Sequence, residues 1–453
     1  MSLQLTSLGG AGTVTGSKHL LEFGQTKLLV DCGLFQGLKV LRERNWAPLP
    51  IAPDLIDAVI LTHAHLDHSG YLPKFVREGF AGPVYCTAAT ADLTKILLKD
   101  SAGIAEKDAE YANRKGFSKH SPALPLYTLR DAERALVHLR PTSFDQSVDI
   151  GGASLTFHRA GHILGAAIAE VSIGGLSIVF SGDLGRYGDP VMPDPARVPH
   201  ADYVVVESTY GDRTHPRTDP MESLASIIER TVRRGGTTIV PAFAVGRTQS
   251  LLYHLWRLKQ AGRIGSTPIF LDSPMAISAT QLLRAHLSDH RLGPDACSGS
   301  SEIATNVRDI NQSKALTANP MPKIVIAGSG MATGGRVVHH IRAFGPDARN
   351  TILFTGYQAP GTRGARLLAG EKELKMFGQW IPIHAEIESL PELSAHADAD
   401  EILRWLAGFE RPPRRLFIVH GEAVASDALR TRVQRELGWR ASVVDPGRSY
   451  DLT

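Results

Sequence analysis

His63-Ala64-His65-Leu66-Asp67-His68 places three imidazoles and a carboxylate within six residues. The stretch directly follows the apolar run Asp57-Ala58-Val59-Ile60-Leu61, which reads as a buried strand. The polar cluster therefore falls where a strand ends and a loop begins, and such a loop can aim all its side chains into one cleft. Nitrogen and carboxylate-oxygen donors suit zinc. A solvated loop that merely happens to hold three histidines is disfavoured, because the pattern should arise by chance in roughly one chain of this length in a thousand. The stretch predicts a metal centre mounted on a sheet.

Further polar residues stand at other strand ends. Asp31 follows Leu28-Leu29-Val30, and His162 follows Leu155-Thr156-Phe157 within Ala160-Gly161-His162. Asp183 lies in Ser181-Gly182-Asp183 after Ile178-Val179-Phe180, and His420 follows Leu416-Phe417-Ile418-Val419. Any one alone reads as a turn or capping residue. Together they predict a site, because parallel neighbouring strands bring their ends together. One zinc needs three protein ligands plus water, whereas His63, His65, Asp67, His68, His162, Asp183 and His420 offer enough for two, with one carboxylate bridging. Two such metals can share a hydroxide, bring its pKa towards neutrality and clamp the oxygens of a phosphoryl centre. The chemistry implied is hydrolysis.

A chain of 453 residues fits two domains of ordinary size, and 43% hydrophobic with 21% charged residues is a globular balance. A formal charge of +3 is too small to argue nucleic-acid binding by itself. Cys32, Cys86 and Cys297 are far apart and odd in number, so they predict reduced thiols and no disulfide framework. Met1 to Gly10 lacks the basic and apolar regions of a secretory signal. Gly161 to Phe180, the most apolar stretch, is broken by His162, Glu170 and several glycines, so no membrane span is expected. A soluble, cytoplasmic protein is the expectation.

Up to about Val206 the pattern is of short strands separated by Gly-rich turns, with helical material at Ala89 to Lys115 and Leu129 to Leu139. This predicts a sandwich of sheets with helices outside. After Tyr210 strands and helices alternate, the signature of a parallel sheet wound with crossovers.

The ordered set Asp31, His63-x-His65-x-Asp67-His68, His162 and Asp183 resembles the signature of the metallo-β-lactamase superfamily. Glu207 in Val206-Glu207-Ser208-Thr209-Tyr210-Gly211, His396 in Ser394-Ala395-His396-Ala397-Asp398 and His420 in Val419-His420-Gly421-Glu422 resemble the three additional motifs of its β-CASP branch. That branch of RNA-processing nucleases includes the mRNA cleavage-and-polyadenylation endonuclease, RNase J and their prokaryotic relatives. The resemblance covers essentially the whole chain. It implies an α/β architecture: a metallo-β-lactamase αββα sandwich with an inserted Rossmann-like β-CASP domain. The expected divisions are 1–209 and 379–453 for the lactamase part and 210–378 for the insertion.

The resemblance assigns one zinc to His63, His65 and His162 and a second to Asp67, His68 and His420, with Asp183 bridging. Asp31 would orient a ligand histidine from behind, a role that commonly fixes the tautomer. Asp67, Glu207 and His396 become the catalytic candidates. The last two would pair, with His396 contacting the scissile phosphate or protonating the leaving oxygen.

Gly328-Ser329-Gly330-Met331-Ala332-Thr333-Gly334-Gly335 follows a strand and opens a helix. Its third glycine is one residue late for a dinucleotide turn, and no acidic residue ends the next strand. Ser329, Gly330 and Thr333 are therefore expected to hold a substrate phosphate. The resemblance implies a zinc-dependent ribonuclease, mainly endonucleolytic, with 5′-exonuclease action as a secondary mode. RNA is the expected partner, no membrane is, and a homodimer is left open. The alternatives are a DNA nuclease of the same branch and a non-catalytic RNA-binding subunit; the second conflicts with a full set of metal donors.

Overall fold

The computed structural model describes residues 2–116 and 118–452. The chain divides into two compact units, Met1–Thr214 with His396–Thr453, and His215–Ala395.

The first unit is built on two seven-stranded sheets. In one, the strands run Ser449–Leu452, Leu3–Gly9, Lys18–Phe23, Thr26–Val30, Ala58–Ile60, Val84–Thr87 and Leu139–Thr142. In the other they run Ala441–Val443, Arg415–Ile418, Tyr203–Val206, Leu176–Phe180, Ala167–Ile173, Ala153–Arg159 and Ser147–Asp149. Ala58–Leu61 is apolar throughout because both faces of its sheet are covered. Ala58 and Ile60 join Leu5, Leu28, Phe157, Phe180, Val205 and Phe417 in one core. Val59 and Leu61 point the other way, into a second core with Tyr71, Phe75, Leu98 and Ala132. The side-chain period of two along a strand produces this division.

Helix Ala88–Lys115 supplies part of that second core. The Thr87 side chain caps it by accepting from the Thr90 N–H, and Gly116 ends it at φ +65°, a left-handed conformation that glycine adopts without a Cβ clash. Helix Leu129–Leu136 opens on a capping box of Thr128 and Asp131.

The second unit holds a six-stranded sheet in the order Thr305–Asn306, Ile269–Asp272, Lys323–Ala327, Thr237–Pro241, Thr351–Phe354 and Glu386–Ser389. All its pairings are parallel. Apolar clusters cover both faces, one around Leu251, Leu255 and Ile326, the other around Val325, Val337 and Ile341. By compactness the first unit runs to Thr214 and resumes at His396, where the expected divisions are 209 and 379. The later return has a plain cause: Glu386–Ser389 pairs with Thr351–Phe354 and completes the second unit's sheet.

His158, in strand Ala153–Arg159, splits its ring nitrogens between Glu170 Oε2 at 2.9 Å and Asp145 Oδ1 at 2.8 Å. The Glu170 hydrogen bond, with help from Asp145 and against the effect of burial, raises its pKa above the ordinary value. A raised folded-state pKa gives stability that is complete below the unfolded value of about 6.5 and disappears as pH rises through the folded value. His158→Ala should therefore cost about 0.2–1 kcal/mol at acidic pH and much less at alkaline pH. Denaturant melts at about pH 5 and about pH 9 check this, and equal losses at both would assign His158 to packing alone.

Candidate metal centre

Parallel pairing brings the polar strand ends together. Thr26–Val30 runs beside Ala58–Ile60, which sets Asp31 next to the segment that follows Leu61. In the facing sheet Leu176–Phe180, Tyr203–Val206 and Arg415–Ile418 are successive parallel neighbours, so Asp183, Glu207 and His420 all leave the same edge.

The result is three groups of donor atoms, the atoms of each lying within 4.8 Å of one another: His63, His65, His162 and Asp183; Asp67, His68 and His420; and Asp183, Glu207 and His396, which shares Asp183 with the first. Asp183 lies between the first two. Its Oδ2 is 3.4 Å from His63 Nε2 and 3.7 Å from His162 Nε2. Its Oδ1 is 3.4 Å from His68 Nε2 and from His420 Nδ1. The seven residues expected to hold metal, drawn from positions 63 to 420, are thus brought together.

Hydrogen bonds behind the imidazoles turn their inner nitrogens towards the centre. Asp31 Oδ2 accepts from His68 Nδ1 at 2.7 Å, which leaves His68 Nε2 facing inward. The same carboxylate accepts from the Thr62 N–H and hydroxyl at 2.8–3.0 Å. With its proton spent on Asp31, the Thr62 oxygen accepts from His63 Nδ1 at 3.1 Å. His63 Nε2 is then an acceptor, and it is buried with no hydrogen-bond partner; His65 Nε2 and Asp183 Oδ1 are in the same condition. His68 Nε2 and His420 Nε2 face each other at 3.1 Å.

Asp31 and His420 both adopt left-handed backbone, at φ +61° and +48°. A non-glycine residue there is strained, and such strain concentrates where a side chain must be aimed.

Electrostatics follow from burial and the two carboxylates. Burial holds His63 well below its ordinary value and His65 at about 4, so both are neutral donors. At His68 burial is outweighed by Asp183 and Asp31, which push the group up to about 10. His420 is raised for a similar reason, Asp183 and Asp67 overcoming burial. Burial also opposes ionisation of Asp67 and Asp183, yet the neighbouring imidazoles, His420 foremost, keep both below their ordinary values. The pocket is built around positive charge.

A divalent cation fits these residues. Buried neutral nitrogens without hydrogen bonds, a buried carboxylate oxygen that accepts none and two imidazole edges 3.1 Å apart are costly by themselves and favourable around a metal. His63, His65, His162 and Asp183 could hold one ion and Asp67, His68 and His420 another, with Asp183 Oδ1 3.4 Å from the last two imidazoles.

Glu207 is fully buried, and its Oε1 accepts from the Leu184 N–H at 2.6 Å while Oε2 accepts from the Thr209 N–H at 3.3 Å. Oε1 also lies 3.4 Å from His396 Nδ1. The His396 ring in turn stands 4.4 Å from that of His162. Ser329, Gly330 and Thr333 belong to the second unit. There the Ser329 hydroxyl accepts from the Thr333 N–H at 3.1 Å and closes the loop on itself, and Gly330 lies so close to the Phe243 ring that a Cβ would collide.

Three supporting residues escape a reading of motifs. Thr62 couples Asp31 to His63, and Thr209 Oγ1 lies 3.3 Å from His420 Nδ1. Lys18 is wholly buried, and its ammonium donates to the Gly33 and Gly16 carbonyls between the rings of Phe35 (4.8 Å) and Tyr71 (4.7 Å). Burial lowers its pKa to about 8. It braces the segment that holds the metal loop: Cys32 N donates to His68 O, Ser17 N donates to Asp67 O, and a Cβ on Gly33 would collide with Asp67 O.

Family models match in three segments. Residues 16–241 match the metallo-beta-lactamase superfamily, 248–367 the Beta-Casp domain and 380–444 the Zn-dependent metallo-hydrolase RNA specificity domain. Ribonuclease TTHA0252 of Thermus thermophilus is 39% identical over 432 residues, 93% of each chain. A transcription termination factor, FttA, of Methanosarcina mazei is 34% identical over 96% of this chain and 69% of its own. A solved structure of a protein of unknown function from Enterococcus faecalis shares the fold over the full length of both chains, with a TM-score of 0.54 and 15% identity.

Proposed function

Because the chain belongs to the β-CASP branch of the metallo-β-lactamase superfamily, a family of metal-dependent hydrolases, we propose that it is a zinc-dependent ribonuclease. We infer mainly endonucleolytic action. One observation carries the reading: two groups of His and Asp donors joined through Asp183, with inner nitrogens left unpartnered in a buried pocket. His63, His65 and His162 would hold one zinc and Asp67, His68 and His420 the other, with Asp183 placed to serve either. When bound, the pair supplies an activated water and neutralises charge on the phosphoryl oxygens.

The chain's own residues do the rest. Asp31 and Thr62 lock the tautomers of His68 and His63. Asp67, kept ionised by its neighbouring imidazoles, would orient the attacking water by accepting a hydrogen bond from it. Glu207 positions His396 by holding its Nδ1 edge, which leaves Nε2 to deliver a proton to the departing ribose oxygen. Ser329, Gly330 and Thr333 take a phosphate of the substrate on the second unit. RNA is favoured over DNA by the match of residues 380–444 to an RNA specificity domain and by the ribonuclease that matches along 93% of both chains. The termination factor extends well beyond the 69% of its length that is matched, so the ribonuclease is the better guide.

Purified protein incubated with 5′-labelled single-stranded RNA and the matching DNA, with and without chelator, tests the proposal. Internal RNA fragments should appear, vanish with chelator and return on adding zinc, while DNA is cut far more slowly. Elemental analysis of active protein should approach two zinc ions per chain. Chelator-resistant cleavage would sink the metal mechanism, and one ion in fully active protein would sink the paired site.

A further inference from the structure

The second unit carries a hairpin outside its main sheet, Glu373–Met376 paired antiparallel with Gln379–Pro382. Its turn is Phe377-Gly378, with φ +52° and +81°. Both central residues of such a two-residue turn must be left-handed, and Asn-Gly or Asp-Gly is the usual solution. A bulky phenylalanine at positive φ works against the turn it occupies. It gains no burial in exchange, since Phe377 is 53% exposed. Trp380, on the same hairpin and opposite Lys375, is 55% exposed. Strained backbone that presents large rings to solvent points to function.

The Phe377 ring is held in place. It stacks on His339 with centroids 4.6 Å apart at 28°, and the Arg342 guanidinium lies 5.6 Å from its centroid. Arg342 also donates to Gln379 Oε1 at 3.4 Å. Lys372 and Lys375 are exposed on the hairpin, where Glu373 is the single carboxylate between positions 372 and 382. Fixed aromatic faces beside cations suit a ligand that alternates flat rings with phosphates. A second copy of this chain would bring the same cations against themselves.

We propose that the Phe377–Trp380 hairpin is a stacking platform for unpaired bases of single-stranded RNA, with Arg342, Lys372 and Lys375 on the adjoining phosphates. The proposal rests on the ribonuclease reading and adds a substrate site to it.

The test is a Phe377→Asn, Trp380→Thr variant of the zinc-loaded enzyme, assayed on an unstructured RNA. Asn suits the turn and Thr suits the strand, so melting temperature and zinc content should hold or rise. KM should increase about tenfold or more while kcat stays unchanged, because base stacking on an aromatic ring contributes to binding alone. Lys375→Ala should flatten the logarithmic salt dependence of binding by about one unit. An unchanged KM, or a fall in kcat alone, in a background where the wild type cleaves RNA overturns the platform and leaves the ribonuclease intact. A wild type that cleaves no RNA overturns both. A change in oligomeric state at constant KM assigns the face to a second copy and also overturns the proposal.

Discussion

An Asp183→Asn variant should cleave RNA more than about 10³-fold more slowly than the wild type. Removing a group that only hydrogen-bonds to developing charge already costs about 10² to 10³ in rate. Asp183 does more, since its two oxygens lie within 3.4–3.7 Å of His63, His162, His68 and His420. The substitution keeps the shape, removes the charge that both donor groups share and turns an amide towards nitrogens that need a cation. Zinc content should fall by at least one ion, and the difference in melting temperature between zinc-loaded and stripped protein should shrink. Single-turnover cleavage and elemental analysis on one preparation decide the matter. Activity within about tenfold of wild type with both metals retained would show that Asp183 does not join the groups.

His396→Ala should separate proton chemistry from metal binding. The donors supplied by the other residues suffice for two ions, and His396 contacts Asp183 only at 4.0 Å while it lies 3.4 Å from Glu207. General-acid help is typically worth about 10² to 10⁴ in rate. The variant should therefore fold normally, keep both zincs and bind RNA, yet cleave it slower by about that factor. Loss of a zinc would move His396 into the coordination sphere. Unchanged cleavage would leave it a packing residue against His162 and Tyr210.

What could be read from the sequence followed from local chemistry. Three imidazoles after an apolar run announce a strand end, and Leu28-Leu29-Val30 before Asp31 announces another. What could not be read depends on partners remote in sequence. Ser449–Leu452 is a strand because Leu3–Gly9 lies beside it, not because its own four residues show a pattern. Glu386–Ser389 carries two acidic residues and reads poorly as a strand, yet it pairs along its length with Thr351–Phe354. Its carboxylates are neutralised by Arg230 and Arg234, from a helix more than 150 residues earlier. Lys18 shows the same limit, since a lysine in isolation is read as exposed and only the rings and carbonyls around it make burial tolerable.

The scatter of the centre along the chain has a consequence for synthesis. A ribosome makes the strands around Asp31 and the His63–His68 loop long before His420, and Leu3–Gly9 waits for Ser449–Leu452 before its outer edge is covered. The inserted unit is whole once Ala395 has emerged and can fold while the rest is still being made. Before residue 420 arrives, the second donor group has Asp67 and His68 but lacks its third member. A nascent chain therefore lacks a complete second donor group until His420 has been made, however early the loop that carries Asp67 and His68 emerges.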